Sequence, residues 1–279
     1  MADITLRPVT GTIGAEVKGV DLASDLSADT ISQILDAFHH FHVLFFRDQD
    51  LSPHGQIKFA KQLGELGTHP YVQPNPDHHE IIDIVTEPDD RVNFGGGWHT
   101  DVTFLAEPDL GSILYAVEVP DCGGDTLWAN QHAAWEALSD PIKELIDPLV
   151  AVHSARRQYS DNGYSQQSKA VQTRGADQAA QIEEVHPVVR THPVTGRKGL
   201  YVNRAFTERI KGLRRSESDA ILNFLFDHAV QEPFTCRFRW EPGSLAMWDN
   251  RCVQHFAIHD YSGHRRHMRR VTLKGDRPV

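Results

Sequence analysis

No apolar run in this sequence approaches the roughly 18 residues that a membrane-spanning helix needs. The opening Met1-Ala2-Asp3-Ile4 has no basic segment leading into an apolar stretch, so no secretion signal is read there. Cysteine is scarce. Cys122, Cys236 and Cys252 are odd in number and far apart, which excludes a disulfide framework and a paired zinc spacing. Inert or buried thiols in a reducing compartment, the cytoplasm, are expected instead. Internal repeats, heptads and low-complexity tracts are absent. So are nucleotide loops: Gly95-Gly96-Gly97 follows no Rossmann-like strand and lacks the Lys-Ser/Thr of a P-loop. Positive charge is in deficit, with 28 Lys and Arg against 38 Asp and Glu, a net charge of −10. Such a chain offers little electrostatic footing for nucleic acid or an anionic membrane.

What is present is ordinary globular composition, 40% hydrophobic and 24% charged over 279 residues, read as a single domain spanning 1–279. Ser27 is placed as an N-cap ahead of Ile31, Ile34, Leu35 and Phe38 at helical spacing. Ser52-Pro53 repeats the start signal for a second helix that ends near Gly64. Val43–Phe46 reads as a buried strand. From residue 81 short strand-like runs take over: Ile81–Thr86, Ser112–Val119, Thr126–Ala129, Val188–Thr191 and Gly199–Asn203. A helix is expected from Ser218. Phe234–Trp240, Ser244–Trp248 and Arg266–Leu273 return to strand. The class is therefore α+β, with a β-sandwich or barrel core and flanking helices. Residues 155–184, poor in large aliphatics but containing Tyr159 and Tyr164, read as a lid inserted over an active site.

Histidine is abundant, at 17 residues. His99-Thr100-Asp101 places two ligand-capable side chains two residues apart, on one face if the segment is a strand. With a distant histidine, of which His255 is the candidate, they could form the two-His-one-carboxylate triad of non-haem iron sites. One His-x-Asp pair is no more than chance supplies in so histidine-rich a chain, and a lone core histidine is usually a hydrogen-bonded structural residue. The surroundings add weight. In the strand Arg266–Leu273, Arg266, Met268 and Arg270 share one face while Arg269, Val271 and Leu273 share the other. Arginines on an inward face make sense as receivers of buried anions. The same basic run could be a solvated face; the acidic total and missing aromatic interleaving count against nucleic acid. His39, His40, His42, His78 and His79 lack a carboxylate at useful spacing and read as surface or helix-end residues.

At these residues the chain resembles the taurine dioxygenase/2,4-dichlorophenoxyacetate dioxygenase (TauD/TfdA) family of Fe(II)/2-oxoglutarate oxygenases. The blocks that carry the resemblance run in order along nearly the whole chain. They are Ile13–Val17, Val43–Arg47, Trp98–Phe104, Gly123–Trp128, His186–Pro193, Met247–His255 and Arg265–Arg270. The resemblance implies a double-stranded β-helix (jelly-roll) core. It assigns His99, Asp101 and His255 to Fe(II) and to catalysis, and Thr126 and Arg266 to the distal carboxylate of 2-oxoglutarate. His69 and Arg270 match positions that receive the substrate's acid group, and Tyr159 and Phe206 match aromatic pocket positions. The implied reaction consumes O2 and 2-oxoglutarate, releases succinate and CO2, and hydroxylates a C–H of a small organic acid of sulfonate, sulfate ester or aryloxyalkanoate type. A product hydroxylated beside the leaving group would collapse. Asp101 speaks against halogenation, because halogenating members vacate that position. The family commonly forms dimers or tetramers, so a homo-oligomer is implied.

Two departures bear on substrate. Taurine dioxygenases have a side-chain amide near Gly95 and a small hydroxyl near Gln158, both close to the taurine amine. Here glycines remove bulk and Gln158 is longer, so a roomier pocket for an acid other than taurine is expected. The competing readings are the same chemistry on an amino-acid-like or other carboxylate substrate, a zinc hydrolase using the same His/Asp/His set, and a catalytically inert jelly-roll binding module.

Overall fold

In the computed structural model, which describes residues 4–279, side-chain alternation along the strands decides the layers. Val43, Phe45, Leu114, Ala116, Ala246, Trp248 and Met268 turn to one core. Their strand neighbours Leu44, Phe46, Ile113, Tyr115, Leu245, Met247 and Val271 turn to another. The strands form one seven-stranded sheet in the order Thr5–Pro8, Ala15–Lys18, Val43–Phe46, Leu245–Asp249, Gly111–Glu118, Arg266–Leu273, Ile82–Thr86. All neighbours are antiparallel except Ala15–Lys18 beside Val43–Phe46.

The first core lies between this sheet and a second one, Thr235–Phe238, Thr126–Asn130 and Val253–Ala257, also antiparallel. Phe45 stacks on Phe238 with ring centroids 4.1 Å apart, and Trp128 meets Trp248 at 5.8 Å. The two sheets make a jelly-roll sandwich, not a closed barrel. The second core is covered by helices Ala28–Phe41 and Pro53–Leu63, which contribute Ile34, Phe38, Ile57 and Phe59. Both start as their sequences dictate: Ser27 Oγ accepts from the Thr30 amide at 3.1 Å and Ser52 Oγ from the Gly55 amide at 3.1 Å. A third cluster joins helix Arg215–His228 to the strands Val150–Ser154, Val189–Thr191, Lys198–Leu200 and Thr207–Ile210.

Three expectations change. The last long helix begins at Arg215 rather than Ser218; Arg214 is its N-cap, and Ser218 is buried in the first turns, where its hydroxyl accepts from the Ile210 amide at 2.8 Å. His99-Thr100-Asp101 is not in a strand. His99 pairs with His255 as an isolated bridge, and the chain then turns, with Val102 at φ 45°. His42 does end a helix, in a left-handed conformation, but it is buried, not on the surface. Residues 155–184 contain the short helices Arg156–Tyr159 and Ala176–Ala179 and a tight turn at Tyr164–Gln167. They lie against the sandwich through the Val72–Thr173 bridge and a hydrogen bond from the Val85 amide to the Ala170 carbonyl at 2.9 Å. No helix among the described residues is long and apolar enough to cross a membrane. Met1, Ala2 and Asp3, where no secretion signal is read, lie outside the described residues.

Candidate active site

Folding brings together what the sequence separates. The backbones of His99 and His255 exchange hydrogen bonds at 3.1 and 2.8 Å, which clasps the loop carrying the first to the strand carrying the second. Their ring centroids are 4.1 Å apart. His99 Nδ1 donates to the Gly97 carbonyl at 2.7 Å, leaving Nε2 as the free lone pair. Both Nε2 atoms lie 3.7 Å from Asp101 Oδ1. Three donor atoms from three buried side chains therefore converge at one point.

Hydrogen bonds orient the carboxylate. Asp101 Oδ2 accepts from Ser112 Oγ at 2.9 Å and from Asn250 Nδ2 at 3.4 Å, and Asn250 Oδ1 accepts from Trp248 Nε1 at 2.9 Å. Burial works to raise the Asp101 pKa, but His255, Arg270, His99 and the Ser112 hydroxyl outweigh it and hold the carboxyl below the usual range. Burial lowers the pKa of both His99 and His255, so each presents a neutral ring. That is the protonation state metal ligation requires.

A pocket runs from the imidazoles to the middle of the sandwich, with Thr126, Trp248 and Arg266 among its walls. Arg266 is buried, yet its Nε and Nη2 have no hydrogen-bond partner. Burial depresses its pKa, and it makes no ion pair with any carboxylate of the described residues. Trp240 and Tyr261 flank the guanidinium with ring centroids 6.0 and 5.9 Å away. Thr126 Oγ1 accepts from Trp240 Nε1 at 3.0 Å, which leaves its own proton to donate elsewhere. A buried, unpaired guanidinium carries a heavy desolvation cost unless an anion arrives to meet it. Gly124, at φ 71°, lets the backbone approach: a Cβ there would lie 3.1 Å from Arg266 Nε.

On the other side of the triad, Arg270 and His69 share a small cavity of about 140 Å³. His69 Nδ1 accepts from the Tyr71 and Val72 amides at 3.1 and 3.0 Å, which fixes the proton on Nε2, donated to Tyr159 at 3.1 Å. Burial, then Arg270, pulls the His69 pKa down to about 3, so it serves as a neutral donor. Phe104, Tyr159 and Phe206 pack together as an aromatic wall. Beyond it a second cavity, of about 250 Å³, opens between Gly95–Gly97, Trp98, Gln158, Tyr164 and Phe206. Gly95, Phe94 and His99 line both this cavity and the pocket leading to Arg266, and Arg270 joins that pocket to the cavity at His69. Besides Asp101, every site residue expected from sequence thus lines one connected set of cavities.

The sequence profile described as "Taurine catabolism dioxygenase TauD, TfdA family" matches residues 5–272. The chain belongs to this family. It is 40% identical over 279 residues to the alpha-ketoglutarate-dependent sulfate ester dioxygenase of Pseudomonas putida, covering 99% of this chain and 91% of that one. It is 37% identical to an alkylsulfatase of Acinetobacter baylyi, covering 98% and 86%. The crystal structure of a taurine dioxygenase from Burkholderia xenovorans matches with a TM-score of 0.83 at 36% identity, covering 99% of this chain and 92% of that one. The protein is therefore a dioxygenase dependent on alpha-ketoglutarate, that is 2-oxoglutarate, and the zinc-hydrolase and inert-module readings fall.

Some parts of this TauD/TfdA site were not anticipated. Asn250 stands inside the Met247–His255 block but is recognisable as an Asp101 partner only once the turn is folded. Ser112 and Trp240 carry no sequence signal at all, since each meets a partner distant in sequence. Asn93, whose side-chain amide donates to the Ala257 carbonyl at 2.8 Å, fastens the glycine loop to the strand that bears His255.

Proposed function

We propose that this dioxygenase hydroxylates a C–H bond of an alkyl sulfate ester or a related sulfonate bearing an apolar tail. The observation that carries the reading is the pairing of two buried arginines, Arg266 and Arg270, on one strand that lines the same pocket as His99 and His255, with Arg270 Nη1 3.3 Å from Asp101 Oδ1. Three neutral or anionic donors with N and O atoms suit Fe(II). The unpaired Nε and Nη2 of Arg266 fit the distal carboxylate of 2-oxoglutarate, with Thr126 Oγ1 as a further donor. Fe(II) and 2-oxoglutarate, when bound, supply the oxidising equivalent from O2, with succinate and CO2 as by-products.

The chain's own residues do the rest. Asp101, held by Ser112 and Asn250, keeps its carboxylate aimed at the two imidazoles. Arg270 receives the anionic head of the substrate, with His69 beside it; the one N–H of neutral His69 passes from the Tyr159 hydroxyl to the incoming anion without adding charge. The Phe104–Tyr159–Phe206 wall excludes water from the reacting carbon and sets how close the tail can come. Residues 155–184, which bring Tyr159, Gln158 and Tyr164 to the cavity, act as the lid of this single domain. The 250 Å³ cavity accommodates the tail, and Gly95, Gly96 and Gly97 present no side chain there to a compact amine such as that of taurine. Support for a sulfate or sulfonate head also comes from the names of the relatives.

The test is succinate formation with Fe(II), 2-oxoglutarate and O2 across alkyl sulfates, alkyl sulfonates, taurine, aryloxyalkanoates and amino acids, with each product identified. Stoichiometric succinate, sulfate and aldehyde from a medium-chain alkyl sulfate, at a kcat/KM above that for taurine, is expected. Taurine or an amino acid as the best substrate would overturn the substrate assignment. Wild-type 2-oxoglutarate binding by Arg266→Leu would overturn the assignment of Arg266.

A further inference from the structure

Around the turn that carries Asn250, a second group of donors converges. His42 ends the first helix, His132 opens the helix Gln131–Glu136, and Cys252 sits in the turn before the strand Val253–Ala257. All three are at most 1% exposed. One ligand atom from each lies within 4.8 Å of the other two. His192 and Asp249 form a second such group with the same thiol, so Cys252 stands between two pairs of donors.

The imidazoles are set up as ligands usually are. His132 Nδ1–H donates to the Lys198 carbonyl at 2.8 Å, the backbone bond that commonly fixes the tautomer and orientation of a metal-binding histidine. Its Nε2 is then a bare lone pair, and this atom is fully buried with no hydrogen-bond partner. An unsatisfied buried acceptor of this kind is costly unless something fills it. The ring centroids of His42 and His132 are 5.2 Å apart at 64°. Two imidazoles on one tetrahedral zinc at Zn–N ≈ 2.0–2.1 Å place their centroids about 5 Å apart. Burial holds both rings neutral, with pKa values of about 3 for His42 and about 4 for His132. The thiol has no strong partner of its own; its contact with the Asp249 carbonyl is 3.8 Å long.

Three guanidiniums lie nearby, and each is already paired: Arg190 Nη2 meets the Asp276 carboxylate at 3.0 Å. Arg251 grips Asp249 through Nε at 2.8 Å and Nη2 at 2.7 Å, and Arg197 Nη2 meets Glu136 at 2.7 Å. The one competing contact is Arg197 Nη1 to His42 Nε2 at 3.5 Å, a long bond that a cation can displace.

We propose that His42, His132 and Cys252 form a second metal site, selective for Zn(II), that fastens the turn bearing Asn250 to the first helix. On binding, the Cys252 S–H bond breaks, a Zn–S bond forms, and one proton leaves to solvent, so affinity rises with pH. His99, Asp101 and His255 offer no sulfur, and a thiolate ligand therefore reports on the second site alone.

The experiment titrates the metal-free, full-length protein with Co(II) under argon, in a Cys122→Ser background that removes the exposed thiol. Two Co(II) per chain and an intense near-ultraviolet thiolate-to-cobalt band are expected, with Zn(II) at stoichiometric excess bleaching the band. Cys252→Ala should bind one Co(II), lack the band and keep 2-oxoglutarate binding. His132→Asn, which retains the thiol, should lose the band as well. One Co(II) per chain without a thiolate band, in Cys122→Ser protein whose circular dichroism is native, would overturn the site. Survival of the band in folded His132→Asn would do the same. Because the Cys122→Ser protein is decisive by itself, a further variant that fails to fold leaves the test intact, and failure of the substrate proposal does not touch it.

Discussion

Arg270 Nη1 lies 3.3 Å from Asp101 Oδ1, so the residue proposed to receive the substrate's acid group also braces the Asp101 carboxylate. Its Nε has no partner. Replacing it with leucine removes a charge-assisted hydrogen bond worth about 1.5–3 kcal/mol, which corresponds to a rise in substrate KM on the order of 10- to 100-fold. The affinity for 2-oxoglutarate, measured by fluorescence quenching on the same protein, should change little. Equal loss of both would merge the roles assigned to Arg266 and Arg270.

Asn250 touches no ligand directly in the proposed arrangement; it positions Asp101. Asn250→Ala leaves Asp101 Oδ2 held by the Ser112 hydroxyl alone and should weaken Fe(II) binding by roughly 10-fold, the usual effect of losing a ligand's supporting hydrogen bond. Anaerobic metal titration reads this separately from turnover. Restored kcat at saturating Fe(II) would fit a positioning role, whereas unchanged metal affinity would leave Asn250 a purely structural residue.

Gly97 has open space around the place a Cβ would occupy, and it lines the cavity beside His99. Valine there fills volume without displacing a neighbour, and the carbonyl that accepts from His99 Nδ1 is retained. Gly97→Val should cut kcat/KM for branched or medium-chain sulfates by an order of magnitude or more while sparing short ones, since a lost methylene contact is worth about 1–3 kcal/mol. A uniform fall across chain lengths would place the tail elsewhere.

The buried histidines make the fold acid-sensitive. Burial, with a smaller contribution from His186, pulls the pKa of His153 from 6.5 to about 3, and this ring lies outside the active site against Thr103. Between these values the unfolded chain holds a proton that the native chain does not, so stability falls as pH drops below 6.5. Each such ring contributes up to about 1.4 kcal/mol per pH unit. Urea denaturation at pH 7, 6 and 5 should show a shallower loss for His153→Gln than for the parent. Parallel slopes would mean that His153 titrates normally in the folded protein.

How far the sequence could be read depended on the range of each interaction. The strand Arg266–Leu273 was legible to the residue because period-two alternation is local, and the structure sends Met268 to one core and Val271 to the other. The helix starts at Ser27 and Ser52 were legible for the same reason. His99 and Asp101 were found for a partly mistaken reason. They share a site not through strand alternation but because the loop is pinned to His255 and then turns at Val102, where the Leu105 amide donates back to the Val102 carbonyl at 2.9 Å. Ser112, Trp240 and the burial of His42 were invisible, since each depends on a partner distant in sequence.

Carrying both arginines on a single strand has a consequence for how this protein can diversify. Four residue steps of extended chain lead from Arg266 to Arg270, a span of about 13 Å. The backbone thus acts as a ruler between the two proposed anion receivers. Mutations in the glycine loop or in residues 155–184 can widen or narrow the tail cavity while that interval stays constant. New substrates can therefore be gained by loop drift alone, and the carbon they present for oxidation will stand at nearly the same offset from their charged end.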